Sequence, residues 1–327
     1  MFGEGGKHLG ALGRSAVVVG GFVAVCCCAI APANASAVLQ ESFLQPMGQV
    51  AAEQRDHLLR VVAITMVVIL PVLVGVPLIL WRYRYGKGRG AYAPKWEFSK
   101  ALEIALWGVP ILVVATLGSW LWYSAAKLDP YQSVGKDPLQ VQAIGLDWKW
   151  IFVYPDEGIA TVNELALPVG RPIELTLTTD TVMQSLLIAP LTGQIYAMPG
   201  MTTRLNFAAS RPGVALGENT QFNGSGFGRQ KFIVRAVAAK EYRAWLASAK
   251  DDPTLDEATY AILRRQSVLA DARADLGLDR SARPLVMRLA EPAMFERIVA
   301  KYHHTGRGAP EAWGGTGRPA ASASGGR

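Results

Sequence analysis

The chain has 327 residues, of which 50% are hydrophobic, and a formal net charge of +7. This apolar content, with a mean hydropathy of +0.19, is too high for an ordinary soluble protein and indicates membrane spans combined with one globular domain. The positive charge does not indicate nucleic-acid binding, because the basic residues are not interleaved with aromatic side chains and many lie in one loop.

The first 35 residues have the pattern of a targeting segment. Lys7 and Arg14 precede an uncharged run over residues 15–30, and Ala33-Asn34-Ala35 offers an A-x-A cleavage site. Cleavage after Ala35 would remove the only cysteines, which lie side by side at residues 26–28. Two alternatives stay open: lipidation at one of Cys26-Cys27-Cys28, although lipoprotein processing prefers a small residue before the cysteine, and an uncleaved anchor.

Two membrane spans follow a predicted exported segment over residues 36–60. Residues 61–81 carry no charge, and as a helix they reach about 31 Å, which is enough to cross the hydrocarbon core. Pro71 and Pro77 predict kinks in this helix, which membrane-embedded helices tolerate. Residues 104–123 form the second predicted span, which ends in an aromatic cluster suited to a membrane interface.

The connection between the spans, residues 82–103, fixes the predicted orientation. Between residues 82 and 100 it holds six basic residues and one acidic residue, Glu97. The positive-inside rule therefore places this loop in the cytoplasm. The N-terminal segment and everything after the second span are then expected on the periplasmic side.

Residues 139–238 are predicted to form an all-β domain. Segments 140–154, 158–167, 172–178, 203–208 and 232–237 are rich in β-forming residues, and Pro-Gly and Gly-rich turns separate them. Short strands at this density favour a sandwich or a small Greek-key barrel. Between residues 58 and 302 the chain has neither histidine nor cysteine, so this domain offers no imidazole or thiolate to a haem or a copper ion.

After the β domain the pattern becomes helical. Segments 240–249, 254–266 and 292–302 are predicted as short helices within an arm over residues 239–304. Residues 305–327 are rich in Gly, Ala, Ser and Pro, and are predicted to be a disordered tail.

Two motifs point to a known family. Glu103-x3-Trp107-x2-Pro110 opens the second span, and Asp147-Trp148-Lys149-Trp150 lies near the start of the β domain. On these motifs and the order of its parts, the chain resembles subunit II of the haem–copper respiratory oxidases over residues from about 40 to 245. The resemblance implies a membrane α-helical hairpin of two transmembrane helices, followed by an all-β cupredoxin-like Greek-key sandwich and a short helical C-terminal arm.

The family's copper-ligand pattern is changed at every position in this chain. That pattern, one His followed by C-x-E-x-C-x3-H-x2-M, falls without gaps on Gln184, Asn219, Gln221, Asn223, Phe227 and Gln230. A dinuclear copper centre uses thiolate sulfur and imidazole nitrogen, and neutral amides are poor substitutes. We therefore expect the chain to bind no metal, which contradicts the alternative of a cytochrome c oxidase subunit with a copper relay.

Within the family, loss of this centre marks the quinol oxidases of the cytochrome bo type, and residues 148–164 resemble that branch. The resemblance implies a bacterial inner-membrane complex that takes electrons from ubiquinol rather than from cytochrome c. It places the haems and one copper in subunit I, the main partner. Subunits III and IV, membrane lipid and quinone are further expected partners.

The resemblance also assigns roles to two residues. Glu103 matches a carboxylate at the mouth of a proton-uptake path into subunit I, although a hydrated boundary residue is the plain alternative. Trp148 matches a residue that passes electrons toward copper, and without copper we expect it to act in packing. A membrane-anchored binding or assembly module with no oxidase partner remains the alternative function.

Overall fold

The computed structural model describes residues 42–83, 98–248, 253–281 and 283–303. The predicted signal segment with its three cysteines, most of the basic loop between the spans and the predicted disordered tail lie outside the described residues.

Two long helices come first. Helix α1 spans Gln49–Arg82 and helix α2 spans Lys100–Lys127, and each is long and apolar enough to cross a membrane. Each helix continues past both ends of its predicted span, so that α1 starts well before residue 61. Prolines lie inside both helices, at Pro71, Pro77 and Pro110.

The domain after α2 is built on two β-sheets. Its strands are β1 Leu139–Leu146, β2 Lys149–Tyr154, β3 Ile159–Val162, β4 Glu164–Pro168, β5 Pro172–Thr179, β6 Gln184–Leu187, β7 Gln194–Ala197, β8 Thr203–Ala208, β9 Gly213–Asn219, β10 Lys231–Val237, β11 Thr254–Leu255 and β12 Leu285–Leu289. The first sheet has the order β11-β12-β3-β2-β1-β5-β8, and the second has the order β4-β10-β9-β6-β7. The β1–β5 and β4–β10 pairs are parallel, so the chain crosses between the sheets rather than forming a simple meander.

Strand β2 shows how the first sheet is covered on both faces. Successive side chains of a strand point to opposite faces, so Trp150, Phe152 and Tyr154 enter the core between the two sheets. Ile151 and Val153 point the other way and belong to a second buried cluster. Every residue of β2 is buried as a result.

The second cluster is completed by the C-terminal arm, residues 239–303. The arm contains helices α3 Ala239–Ser248, α4 Glu257–Leu263, α5 Leu269–Asp275 and α6 Met294–His303, together with β11 and β12. Side chains such as Leu263, Met287 and Phe295 pack against the outer face of the first sheet. The arm is therefore a third layer, and β12 extends the sheet by pairing antiparallel with β3.

The fold class expected from the sequence is confirmed: two membrane-length helices, a two-sheet β domain and a mostly helical arm. The predicted content of the arm is wrong in part. Segment 254–266 opens with strand β11 before α4 begins, and β12 and α5 were not predicted at all. These short elements gain stability from pairing with β3 and from packing on the sheet, which local sequence does not reveal.

Contacts just before α1 and just after α2 attach the two helices to the β domain. The Met47 backbone N–H donates to Pro190 O at 2.7 Å, and Met47 O accepts from the Ser210 N–H at 2.8 Å. After α2, Pro130 O accepts from both the backbone N–H and the side-chain amide of Asn206, each at 3.0 Å. The domain is held to both helices by backbone hydrogen bonds.

Candidate functional site

The loops between strands of the second sheet bring four of the six predicted positions together. Gln184 opens β6, Asn219 ends β9 and Gln230 lies just before β10. Asn223 comes from the loop between Asn219 and Gln230. We call these four side chains the amide network, because their amide groups bond to one another.

Gln230 is the centre of the amide network. Its Oε1 accepts from Asn223 Nδ2 at 2.7 Å and from Asn219 Nδ2 at 3.1 Å. Its Nε2 donates to Gln184 Oε1 at 2.6 Å and to the backbone oxygen of Leu146 at 3.1 Å. Both N–H groups and both lone pairs of this fully buried amide are therefore used.

The amides of Asn219 and Gln184 are also hydrogen-bonded, whereas the buried Asn223 Oδ1 has no hydrogen-bond partner in the part of the chain that the structure describes. Asn219 Oδ1 accepts from the backbone N–H groups of Ser185 and Gln221, at 2.9 and 3.0 Å. Gln184 Nε2 donates to the Leu146 oxygen at 3.1 Å. Gly145 makes room for this side chain, since a Cβ there would lie 2.7 Å from Gln184 Oε1.

The other two positions stand outside the network. Gln221 contributes backbone groups, and its oxygen accepts from Asn219 Nδ2 at 2.8 Å. Phe227 starts a 3₁₀ turn, Phe227–Arg229, and its ring lies 5.7 Å from that of the exposed Phe222. Neither side chain joins the four amides.

This donor set does not fit the dinuclear copper centre that the resemblance brings to mind. The amide oxygens are neutral, those of Gln184, Asn219 and Gln230 already accept hydrogen bonds, and the amide nitrogens are donors rather than ligands. Within the described residues no group of three His, Cys, Asp or Glu side chains lies close enough to hold a metal ion. The arrangement can stabilise the loops, but it offers copper no thiolate or imidazole.

Trp148 lies over the loop that carries the amide network. It sits in the two-residue turn between β1 and β2 with a φ of 80°, an uncommon conformation for a residue with a side chain. Its Nε1 donates to Asn223 O at 3.2 Å. A Cβ on Gly226 would lie 2.0 Å from the indole, so the glycine allows the ring to pack flat on the loop.

Glu103 lies far from this site. It occupies the first turn of α2, while the domain follows the last turn, about 36 Å away along the helix axis. Trp107 Nε1 donates to Glu103 Oε2 at 3.2 Å, which explains the spacing of the Glu103-x3-Trp107 motif as one helical turn. The carboxylate is exposed on the surface of this chain.

Lys149 is a polar site that the sequence analysis did not single out. Its side chain is buried, and its ammonium group donates to Ser267 O at 2.6 Å, to Arg265 O at 3.0 Å and to Asp147 O at 3.1 Å. Burial lowers the pKa of Lys149 from 10.5 to about 8, and nearby carboxylates such as Asp147 partly oppose this shift. The sequence did contain a signal for this buried polar site, because Lys149 is the one charged residue in an otherwise aromatic and aliphatic strand.

Asp180 is the second such site. It follows β5, is 2% exposed, and accepts hydrogen bonds from Tyr302 at 2.8 Å and Tyr260 at 2.9 Å. It also forms ion pairs with Lys301 at 2.7 Å and Arg264 at 2.9 Å. All four partners belong to the arm, so one buried carboxylate holds two arm helices to the sandwich. No local sequence signal marks it.

The sequence and the fold of the chain were compared with those of known proteins, and both comparisons find similar proteins. No family model matches it. It is 36% identical over 273 residues to cytochrome bo(3) ubiquinol oxidase subunit 2 of Pseudomonas putida, covering 82% of this chain and 83% of the relative. It is 37% identical over 266 residues to ubiquinol oxidase subunit 2 of Acetobacter aceti, covering 80% and 82%. Among solved structures, the periplasmic domain of cytochrome oxidase subunit II of Bradyrhizobium japonicum covers 36% of this chain and 96% of its own length, at 26% identity and a TM-score of 0.35.

Proposed function

Because the chain belongs to the family of subunit 2 of the cytochrome bo-type ubiquinol oxidases, we propose that it is a non-redox subunit of a complex that oxidises ubiquinol and reduces oxygen. In this proposal the chain scaffolds subunit I, which holds the haems and one copper. Electrons pass from quinol in the membrane directly into subunit I and bypass the β domain.

The amide network carries this proposal. A soluble cytochrome donor requires a relay in the exposed domain, and the corresponding loops hold four amides bonded to one another. Converting this network into a copper site would require breaking the buried hydrogen bonds that Gln230 makes to Gln184, Asn219 and Asn223. The assignment of these positions as former copper-ligand positions is a prediction from the sequence pattern.

We further propose that Glu103 lies at the cytoplasmic entrance of a proton path into subunit I. This assignment requires the orientation with the loop 82–103 in the cytoplasm and the β domain in the periplasm. It is supported by the position of Glu103 in the first turn of α2, at the end of the helix opposite the domain. The bond from Trp107 leaves one carboxylate oxygen available to water or to a partner.

Purification of the complex with this chain tests the electron donor. We expect haem absorbance, oxygen uptake driven by ubiquinol, no uptake driven by reduced cytochrome c, and no copper in this chain once it is separated from subunit I. Copper bound to the isolated chain, or oxygen uptake with cytochrome c, would reject the proposal. Purification without haem or other subunits would support the alternative of an anchored assembly module.

The role of Glu103 is tested by Glu103→Gln in the same complex. Loss of the carboxylate should slow ubiquinol-driven turnover and proton uptake several-fold, while the haem content stays unchanged. Glu97→Gln is the matched control, because it removes a carboxylate from the same loop without touching the helix motif. Equal turnover in wild type and Glu103→Gln would mean that Glu103 is only a hydrated boundary residue.

A further inference from the structure

A pocket with a volume of about 490 Å³ lies between the domain-side ends of α1 and α2. His57 and Arg60 contribute from α1, and Trp120, Tyr123 and Ser124 contribute from α2. Arg60 immediately precedes the uncharged run that starts at residue 61, and Trp120 and Tyr123 end the second apolar span. This interhelix pocket therefore lies at the boundary between water and hydrocarbon, whichever way the helices are oriented.

His57 is held in a defined tautomer across the pocket. Trp120 Nε1 donates to His57 Nδ1 at 2.8 Å, and Ser124 Oγ lies 3.1 Å from the same nitrogen. An indole N–H can only donate, so Nδ1 accepts and the ring proton sits on Nε2. Within the described part of the chain no hydrogen bond to His57 Nε2 is found, so this N–H remains a donor for a ligand.

Of the four charged side chains that line the pocket, three have an ion-pair partner and Arg60 has none within the described residues. Glu53 pairs with Lys127 at 3.1 Å, and Asp56 pairs with Arg55 at 3.0 Å. Arg60 has no carboxylate within ion-pair distance among the residues that the structure describes. Its guanidinium carbon lies instead 4.9 Å from the centroid of the Trp120 ring, which positions the group at the pocket.

We propose that the interhelix pocket binds the phosphodiester of a membrane glycerophospholipid. Arg60 supplies the positive charge and a two-pronged donor that matches two phosphate oxygens, and His57 Nε2–H supplies a further donor. The exposed apolar surfaces of α1 and α2 beyond residue 61 accommodate the acyl chains. The unpaired guanidinium matches the single negative charge of a phosphodiester, and the exposed apolar helix surfaces beside the pocket favour a lipid over a carboxylate-bearing protein segment.

The test measures phospholipid bound to the purified complex containing the full chain. After removal of lipid, the complex is titrated in mixed micelles with dioleoylphosphatidylglycerol, and bound lipid is counted by native mass spectrometry. Arg60→Gln should lose one lipid per complex, with retention at least 10-fold weaker, and Arg60→Lys should recover part of it. Arg204→Gln, which removes an exposed arginine of β8 outside the pocket, should bind as wild type does.

Two further arms identify the source of the phosphate. Dioleoylglycerol, which has the same chains without phosphate, should not fill the site, and inorganic phosphate at millimolar concentration should not displace the phospholipid. Displacement by inorganic phosphate would mean a site for the free ion and would overturn the proposal. So would an equal lipid count in wild type and Arg60→Gln. Loss of a neighbouring subunit in Arg60→Gln without loss of lipid would show that the pocket is a protein interface, and this too would overturn it.

Discussion

At the scale of single residues, Lys149 links burial to proton binding. Its ammonium group reaches three backbone carbonyls, yet burial still lowers its pKa to about 8. Between pH 8 and 10.5 the unfolded chain therefore holds a proton that the folded domain has released. The free energy of unfolding should rise with pH across this window, by at most roughly 3 kcal/mol.

Comparison with Lys149→Met isolates this effect. We would follow thermal unfolding of the purified chain in detergent by circular dichroism between pH 7.5 and 10.5. The contribution of Lys149 to the free energy of unfolding should rise with pH in wild type and be absent in the variant. Burial raises the pKa of Tyr154 and Tyr242 above their usual values, which lowers stability at still higher pH. Both tyrosines are present in the variant, so their effect cancels in the difference. Parallel curves for the two proteins would refute the assigned pKa.

Residues also differ in how far the sequence alone could reveal them. The family motif drew attention to Trp148, and the copper pattern to Gln184 and Gln230. The motif could not predict that four amides bond to one another, since this depends on the approach of loops from three strands. Asp180 left no sequence signal because its partners lie between 80 and 122 residues away.

At the scale of elements, Asp180 is expected to keep the arm docked. Asp180→Asn leaves Lys301 and Arg264 without their carboxylate and should lower the stability of the docked arm by about 3 kcal/mol. Hydrogen exchange measured by mass spectrometry should rise in α4 and α6. Exchange in β9 and β10, in the second sheet, should stay close to that of wild type.

Asp271→Asn provides the matched control for the arm. Asp271 forms an ion pair with Arg280, but both side chains are well exposed, and such pairs contribute little. Exchange in α6 should then change hardly at all. If Asp180→Asn behaved like this control, the buried carboxylate would not hold the arm.

The predicted elements failed where pairing or an unusual turn decides the structure. Segment 140–154 was predicted as one β-rich run, but it forms a hairpin that turns at Asp147 and Trp148. Segment 158–167 divides at Asn163, which has a φ of 59°. Asn tolerates this conformation better than most residues, so Asn163 could have indicated a break between two strands. Strands β6 and β7 have four residues each, too few for a local pattern to stand out.

At the scale of the whole molecule, the proposed topology predicts which surfaces a reagent on the periplasmic side of the inner membrane can reach. Ser225 lies exposed on the loop between β9 and β10. In spheroplasts, Ser225→Cys should react with a membrane-impermeant maleimide, while Gly88→Cys in the loop between the helices should react only after permeabilisation. The opposite result would invert the orientation and remove the proposed role of Glu103. Wild type shows whether the native cysteines contribute to labelling.

The broad architecture followed from the sequence because long apolar runs and repeated β-forming segments are strong, local signals. The role of the arm did not follow from the sequence, because its helices are short and only their packing shows that they form a third layer. Helix boundaries were also too narrow: the predicted span at 61–81 lies inside α1, which begins at Gln49. Hydropathy marks where a helix enters lipid and does not report where the helix itself starts.

The docking of the arm on Asp180 also has a consequence in time. The chain is made from its N-terminus, and Lys301 and Tyr302 are separated from Asp180 by 121 and 122 residues. Until the arm is made, the outer face of the first sheet, with Ile151 and Val153, has no cover, and the bonds from Asp180 to α6 form last. The domain is therefore most prone to aggregate late in synthesis, before the arm has folded onto it. A chain terminated before α4 would keep its two-sheet sandwich but would expose this apolar face to aggregation and to proteases.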